Sequence, residues 1–177
     1  MTETQNTYPV VLLVEQQLSS LDATQVRGLH ESIEEPVIYH VLLPVDDAAA
    51  RVEASLGSLS GSEMVGSPAP TLSEVDLEAL EQHAQEQARD ELAATVAALE
   101  AAGATVAGGA LVTGHPAAEL AKKVSAVNGR EAIVLTRPHV VAEFFHVDWA
   151  SQARRKLGVP VLHLLEHQTF DEQAEGL

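Results

Sequence analysis

Glu15 and Gln16 follow an unbroken apolar run that ends at Val14. Arg137 and His139 follow a second such run, Ala132–Thr136, which Thr136 closes. A carboxylate, an amide, a hydroxyl, a guanidinium and an imidazole past the ends of two buried strands could together hold a small polar ligand. Further along, His146 and Asp148 join His139, with His163 or His167 in reserve, as possible zinc ligands. Imidazole and carboxylate suit that metal, but these spacings match no established zinc pattern, and no metal site is expected. No Ser–His–Asp order and no spacing of paired carboxylates points to catalysis, so the chain reads as a non-enzyme. His40, between Tyr39 and Val41, reads as a hydrogen-bonded core histidine rather than a ligand. The glycines of Leu56–Pro70 lack the Lys-Ser/Thr ending and the preceding strand that a phosphate loop requires.

The elements that must position these residues come in a regular order. Tyr8–Val14 is a central strand with Pro9 at its start, where a missing donor is tolerated. Ser19, Ser20 or Asp22 can cap a helix carrying Val26, Leu29 and Ile33 on one side. Pro36 stops it and opens a second strand, Val37–Val45. Residues Asp46–Ser73 are rich in Ala, Ser, Gly and Pro and read as a flexible loop or lid, with a short helix over Asp47–Leu56. Ser73 with Asp76 then resembles a capping box. Leu77, Leu80, Ala84, Ala88, Leu92, Val96 and Leu99 give the longest helix a stripe for core packing, up to Gly103.

Ala104–Val112 is a third strand, and Pro116 starts a helix whose Ala117, Leu120, Val124 and Val127 form one apolar face. Asn128-Gly129 supplies residues able to take the left-handed conformation at its end. Ala132–Thr136 is a fourth strand, and its Ile133-Val134-Leu135 does not alternate, as expected of a parallel strand covered on both faces. Asp148 can cap a last helix with Ala150, Ala153 and Leu157 inward, and Arg154, Arg155 and Lys156 suit its carboxyl end. Val159–Leu165 is a fifth strand, and the polar residues before Thr7 and after Glu166 read as loose ends.

With 177 residues, 46% hydrophobic and 20% charged, one well-buried domain spanning residues 1–177 is the expectation. The net charge of −16 opposes nucleic acid and anionic membranes. No apolar run approaches the roughly 20 residues that span a bilayer, and there is no basic-then-apolar leader. The absence of cysteine excludes disulfides and thiolate chemistry and fits a cytoplasmic protein.

Strands alternating with helices in this order specify an α/β, doubly wound parallel sheet. Here the chain resembles the universal stress protein family. The resemblance lies in the strand Val10–Val14, in Gly114-His115-Pro116-Ala117 where the family usually has Gly-Asp-Pro-Ala, and in the strand Ala132–Thr136. The closing Gly158-Val-Pro-Val-Leu162 is similar to the family's final strand. It implies an adenine nucleotide alpha hydrolase-like fold: five parallel strands in the order 3-2-1-4-5 with helices on both faces, and a crevice at the carboxyl ends of strands 1 and 4. Nucleotide-binding members carry a glycine-rich pattern after strand 4, and this chain has no glycine between Gly129 and Gly158. Thr136 and His139 stand near its first two glycines, Asp148 near its last, and Glu15 replaces the usual aspartate after strand 1.

The resemblance therefore implies a member without the ATP site or any cofactor, acting through protein partners. The alternative is a small-molecule or nucleotide sensor that uses the crevice through Glu15, Gln16, Thr136, Arg137, His139 and Asp148. Glu15 and Arg137, past neighbouring strands, are placed to pair across the crevice mouth, or else to be solvated separately. The fifth strand, Val161, Leu162, His163, Leu164 and Leu165, has no lysine or internal proline to blunt it. It is the expected homodimer edge, as in many family members, unless the polar tail folds back over it.

Overall fold

A computed structural model describes residues 6–45, 74–137 and 157–168. Five strands form one parallel sheet: β1 (Tyr8–Val14), β2 (Val37–Pro44), β3 (Thr105–Val112), β4 (Glu131–Thr136) and β5 (Val161–Leu165). Their spatial order is β3-β2-β1-β4-β5, as the resemblance implied. Helices α1 (Ser20–Gly28), α2 (Glu74–Ala101) and α3 (Pro116–Ala126) pack on its faces.

Successive side chains of a strand point to opposite faces, so the apolar run of β1 feeds two cores. Val10, Leu12 and Val14 join Val26 of α1 and Leu99 of α2. Val11 and Leu13 join Leu120 and Val124 of α3. The register sets Leu13 beside Val134 and Val14 beside Leu135, so β1 and β4 end side by side. That alignment brings residues 15 and 136–137 to one place.

The helices refine the sequence reading. Ser19 caps α1 in a full capping box with Asp22. The helix ends at Gly28, short of the Leu29 and Ile33 assigned to it. The carbonyl of Val26 faces the side chains of His30 and Tyr39, while the His30 N–H turns to Arg27 O. The last turn tightens accordingly, as helix ends often do. In α2 the expected stripe is core only towards its carboxyl end. Leu80 is 36% exposed, whereas Ala88 and Leu99 are buried. Between them Thr95 is buried on the same face, and its hydroxyl accepts the Leu18 N–H at 3.1 Å.

In α3 Leu120 and Val124 are buried. Asn128 takes the left-handed conformation (φ 50°) that follows the helix. A Cβ on Gly129 would lie 3.3 Å from the Val124 backbone, so glycine there allows α3 to close on β1. His40 is not the core histidine expected. It is half-buried beside an irregularity in the β2–β3 pairing, and it has no hydrogen bond among the described residues. Among the described residues the buried histidine is His30. The 46–73 loop, the Ser73–Asp76 capping box and the Asp148 helix up to Lys156 lie outside the described residues.

Candidate functional site

In an open parallel sheet the natural ligand site lies past the carboxyl ends of the strands, where the chain order reverses. Here that point is between β1 and β4. Backbone hydrogen bonds carry the alignment beyond the strands. Glu15 N–H donates to Leu135 O at 3.1 Å, and Glu166 N–H donates to Thr136 O at 2.9 Å. Residues following β1, β4 and β5 therefore meet at one rim.

Glu15 and Arg137 form the expected ion pair. The guanidinium donates through Nε at 2.8 Å and Nη2 at 2.5 Å to Glu15 Oε1. The Arg137 backbone N–H donates to Glu15 Oε2 at 2.8 Å. One carboxylate thus ties the guanidinium in a fork and also covers the first amide beyond β4. Forked, charge-assisted contacts of this kind are among the stronger hydrogen bonds in proteins.

Gln16 and Thr136 are also at the rim, but each faces a residue of β5 or the turn after it. Gln16 Nε2 donates to Glu166 Oε2 at 2.6 Å, and Thr136 Oγ1 lies 2.8 Å from His163 Nε2. Burial holds the His163 pKa below the usual histidine value. His139 and Asp148, the remaining crevice candidates, lie outside the described residues, as does His146.

Sequence reasoning missed Glu166, Asp22 and the role of His167. In sequence Glu166 has no role beyond bordering a polar tail that reads as loose, but it is only 1% exposed. Among the described residues its Oε1 has no hydrogen-bond partner, and its pKa is pushed up to about 7. The chief cause is burial, which disfavours the charged form, reinforced by the negative Glu15 and Asp22 and opposed by Gln16 and Arg137. His167 is anchored rather than loose. Its N–H donates to Asp22 Oδ1 at 2.8 Å and its Nδ1 lies 3.4 Å from Asp22 Oδ2. The one available signal was Asp22 beside Ser19, which read as a cap. It serves as one, while its other carboxylate oxygen reaches the turn after β5.

A second polar cluster lies at the opposite, amino-terminal end of the sheet. His30 Nδ1 is 2.6 Å from the Tyr39 hydroxyl, and its Nε2 is 3.1 Å from Glu131 Oε2. Tyr8 also reaches Glu131, at 3.3 Å, and the Arg130 guanidinium lies 4.6 Å from the centre of the Tyr8 ring. Burial pushes the Tyr39 pKa up to about 12. A cavity of about 190 Å³ adjoins this cluster, with Arg27, His30, Tyr39 and Thr105 in its wall. Among the described residues no group of three or more His, Asp or Glu is arranged to hold a metal ion. No helix among them is long and apolar enough to cross a membrane.

No protein-family model matches the sequence, and no curated protein matches it. Solved structures do match by shape. The hypothetical protein MJ0577, whose biochemical function was assigned from its structure, superposes with a TM-score of 0.55 at 15% identity. The alignment covers 92% of this chain and 99% of that one. A universal stress protein from Archaeoglobus fulgidus superposes with a TM-score of 0.51 at 13% identity, over 88% of this chain and 92% of its own. A structure of the universal stress protein from that organism in complex with dAMP gives a TM-score of 0.47 at 13% identity, over 88% and 96%. The five-stranded parallel sheet in the order β3-β2-β1-β4-β5, matched over nearly the whole chain, is the fold of the universal stress proteins.

Proposed function

We propose that this is a non-enzymatic, cytoplasmic universal stress-type protein that acts as a homodimer through protein partners and does not hold ATP in its crevice. The observation that carries the last point is the Glu15–Arg137 contact. A phosphate at the end of a parallel strand is held by free backbone N–H groups and nearby cations. Here the first N–H beyond β4 and the guanidinium beside it both donate to Glu15. A phosphate chain would have to displace that carboxylate and would meet Glu166 behind it. The missing glycines between Gly129 and Gly158 argue the same way.

The test is a thermal-shift titration with Mg-ATP. A ligand at 100 times its Kd stabilises a fold by about 2.7 kcal/mol. Millimolar Mg-ATP is expected to leave the midpoint unmoved. A saturable, concentration-dependent rise would refute the proposal.

A second reading is favoured by one feature, the Gln16–Glu166 contact across the crevice. It gives the site polar groups suited to a ligand other than a phosphate. In that reading the protein is a small-molecule sensor, and native mass spectrometry of the purified protein would reveal a bound compound.

A further inference from the structure

Glu166 sits past the end of β5, and Gln16 past the end of β1, with β4 between them in the sheet. Their side chains nonetheless meet at 2.6 Å, so the contact spans the carboxyl end of β4, which is the crevice itself. A second link runs alongside it, from the His167 N–H to Asp22 in the first turn of α1. Between them these bonds strap the turn after β5 across to the β1–α1 segment.

The strap is built on an uncomfortable group. The Glu166 carboxyl is buried and receives one hydrogen bond, and among the described residues its second oxygen has no hydrogen-bond partner and no cation forms an ion pair with it. Arg137, the cation of this rim, is forked onto Glu15. Among the described residues, each element near Glu166 contributes to its surroundings. Glu15 follows β1 and Asp22 lies on α1. Thr136 and Arg137 end β4, while His163 lies on β5 and His167 follows it. Two carboxylates and one neutralised guanidinium do not compensate a buried negative charge.

We propose that the turn carrying Glu166 and His167 is a pH-governed strap over the crevice, closed while the Glu166 carboxyl is protonated and released when it ionises.

Protonated, Glu166 keeps its bond from Gln16 and loses the unpaired charge. Ionised, it gains hydration only by leaving its seat, and the turn that carries it moves off the rim. The sign follows from the raised folded-state pKa of about 7, against 4.5 for the free group. The closed strap is fully favoured in acid and loses ground as pH rises to neutral. The gap corresponds to a bias of roughly 300-fold between closed and open forms across that window, at tenfold per unit. His167 also faces Asp22, with Nδ1 3.4 Å from Oδ2. A control must therefore leave His167 in place.

The proposal concerns regulation of the crevice described above and rests on that reading of the rim. Its test uses no ligand, so it can fail while the nucleotide titration succeeds, and the reverse. Amide hydrogen exchange of residues 166 and 167 is followed between pH 5.5 and 8.5 and corrected for the intrinsic rate. The protection of both amides is expected to fall at least tenfold as pH rises, while buried β4 amides such as Val134 keep theirs. In Glu166→Gln, which keeps shape and His167 but cannot ionise, most of that fall should vanish. A flat profile in the natural protein, or an equal fall in E166Q, overturns the proposal. If E166Q folds poorly, carbon-13 titration of the Glu166 carboxyl replaces it. A midpoint near neutrality that coincides with the loss of protection supports the strap, and a midpoint in the ordinary carboxylate range refutes it.

Discussion

Replacing Glu166 with glutamine should stabilise the protein at alkaline pH, although it removes a charged group that accepts a short hydrogen bond. Glutamine keeps the volume, and its side-chain carbonyl can still accept from Gln16 Nε2, so the change isolates the cost of the buried charge. That cost follows from the shift of the Glu166 pKa from 4.5 to about 7. At 1.36 kcal/mol per unit, the ionised carboxylate in its seat is worth about 3 kcal/mol less than the same group in water.

Because the folded-state value is raised, the natural protein has the full benefit of a neutral Glu166 only below pH 4.5. It loses that benefit progressively up to about pH 7 and has none beyond. If the strap releases, the ionised group escapes into water and the protein forfeits only the strap's own bonds, each worth about 1 kcal/mol. The expected gain for E166Q is therefore near zero at pH 4.5 and about 1–3 kcal/mol at pH 8. Urea unfolding of both proteins from pH 4.5 to 8.5 measures it, and titrations common to both cancel in the difference. A difference that does not change with pH, or a glutamine variant less stable at pH 8 by 1 kcal/mol or more, would refute the reasoning.

Two further predictions concern other parts of the fold. Tyr39→Phe should cost about 1–3 kcal/mol in urea unfolding, because it removes the hydroxyl bonded to both His30 and the Val26 carbonyl in a buried site. A loss under 0.5 kcal/mol would mean that the cluster is not needed to end α1 where it ends. The homodimer proposed along β5 should appear as a dimer boundary in analytical ultracentrifugation at micromolar concentration. Leu164→Pro should weaken it indirectly, by breaking a β4–β5 ladder bond and distorting the edge strand, whereas a natural protein sedimenting as a monomer would end that model.

What the sequence determined by itself is the part of the protein governed by local periodicity and chain geometry. Short apolar runs such as Val10–Val14 and Ala132–Leu135, rich in β-branched residues or set between turn signals, read as strands covered on both faces. The stripe through Leu120 and Val124 and the left-handed Asn128 place α3 and its end within a residue or so. With the order of elements known, the family resemblance supplied the sheet order, and that order put Glu15 beside Arg137. Their pairing was legible because it needs only two neighbouring parallel strands in register.

The tertiary structure decided what depends on residues far apart in the chain and on side chains with more than one possible partner. Glu166 meets Gln16 across 150 positions and His167 meets Asp22 across 145, and no local pattern in a polar tail signals either contact. Asp22 looked like a helix cap and is one, but its spare oxygen was free to take a second task. His40, in an apolar run, looked more like a core residue than His30, which stands beyond the end of a helix. Burial was settled instead by the tightened last turn of α1, which carries His30 inward to Tyr39 and Glu131. Periodicity reports which face a residue occupies. Only the packed fold determines what stands opposite, and for polar groups the partner opposite decides charge, proton and role.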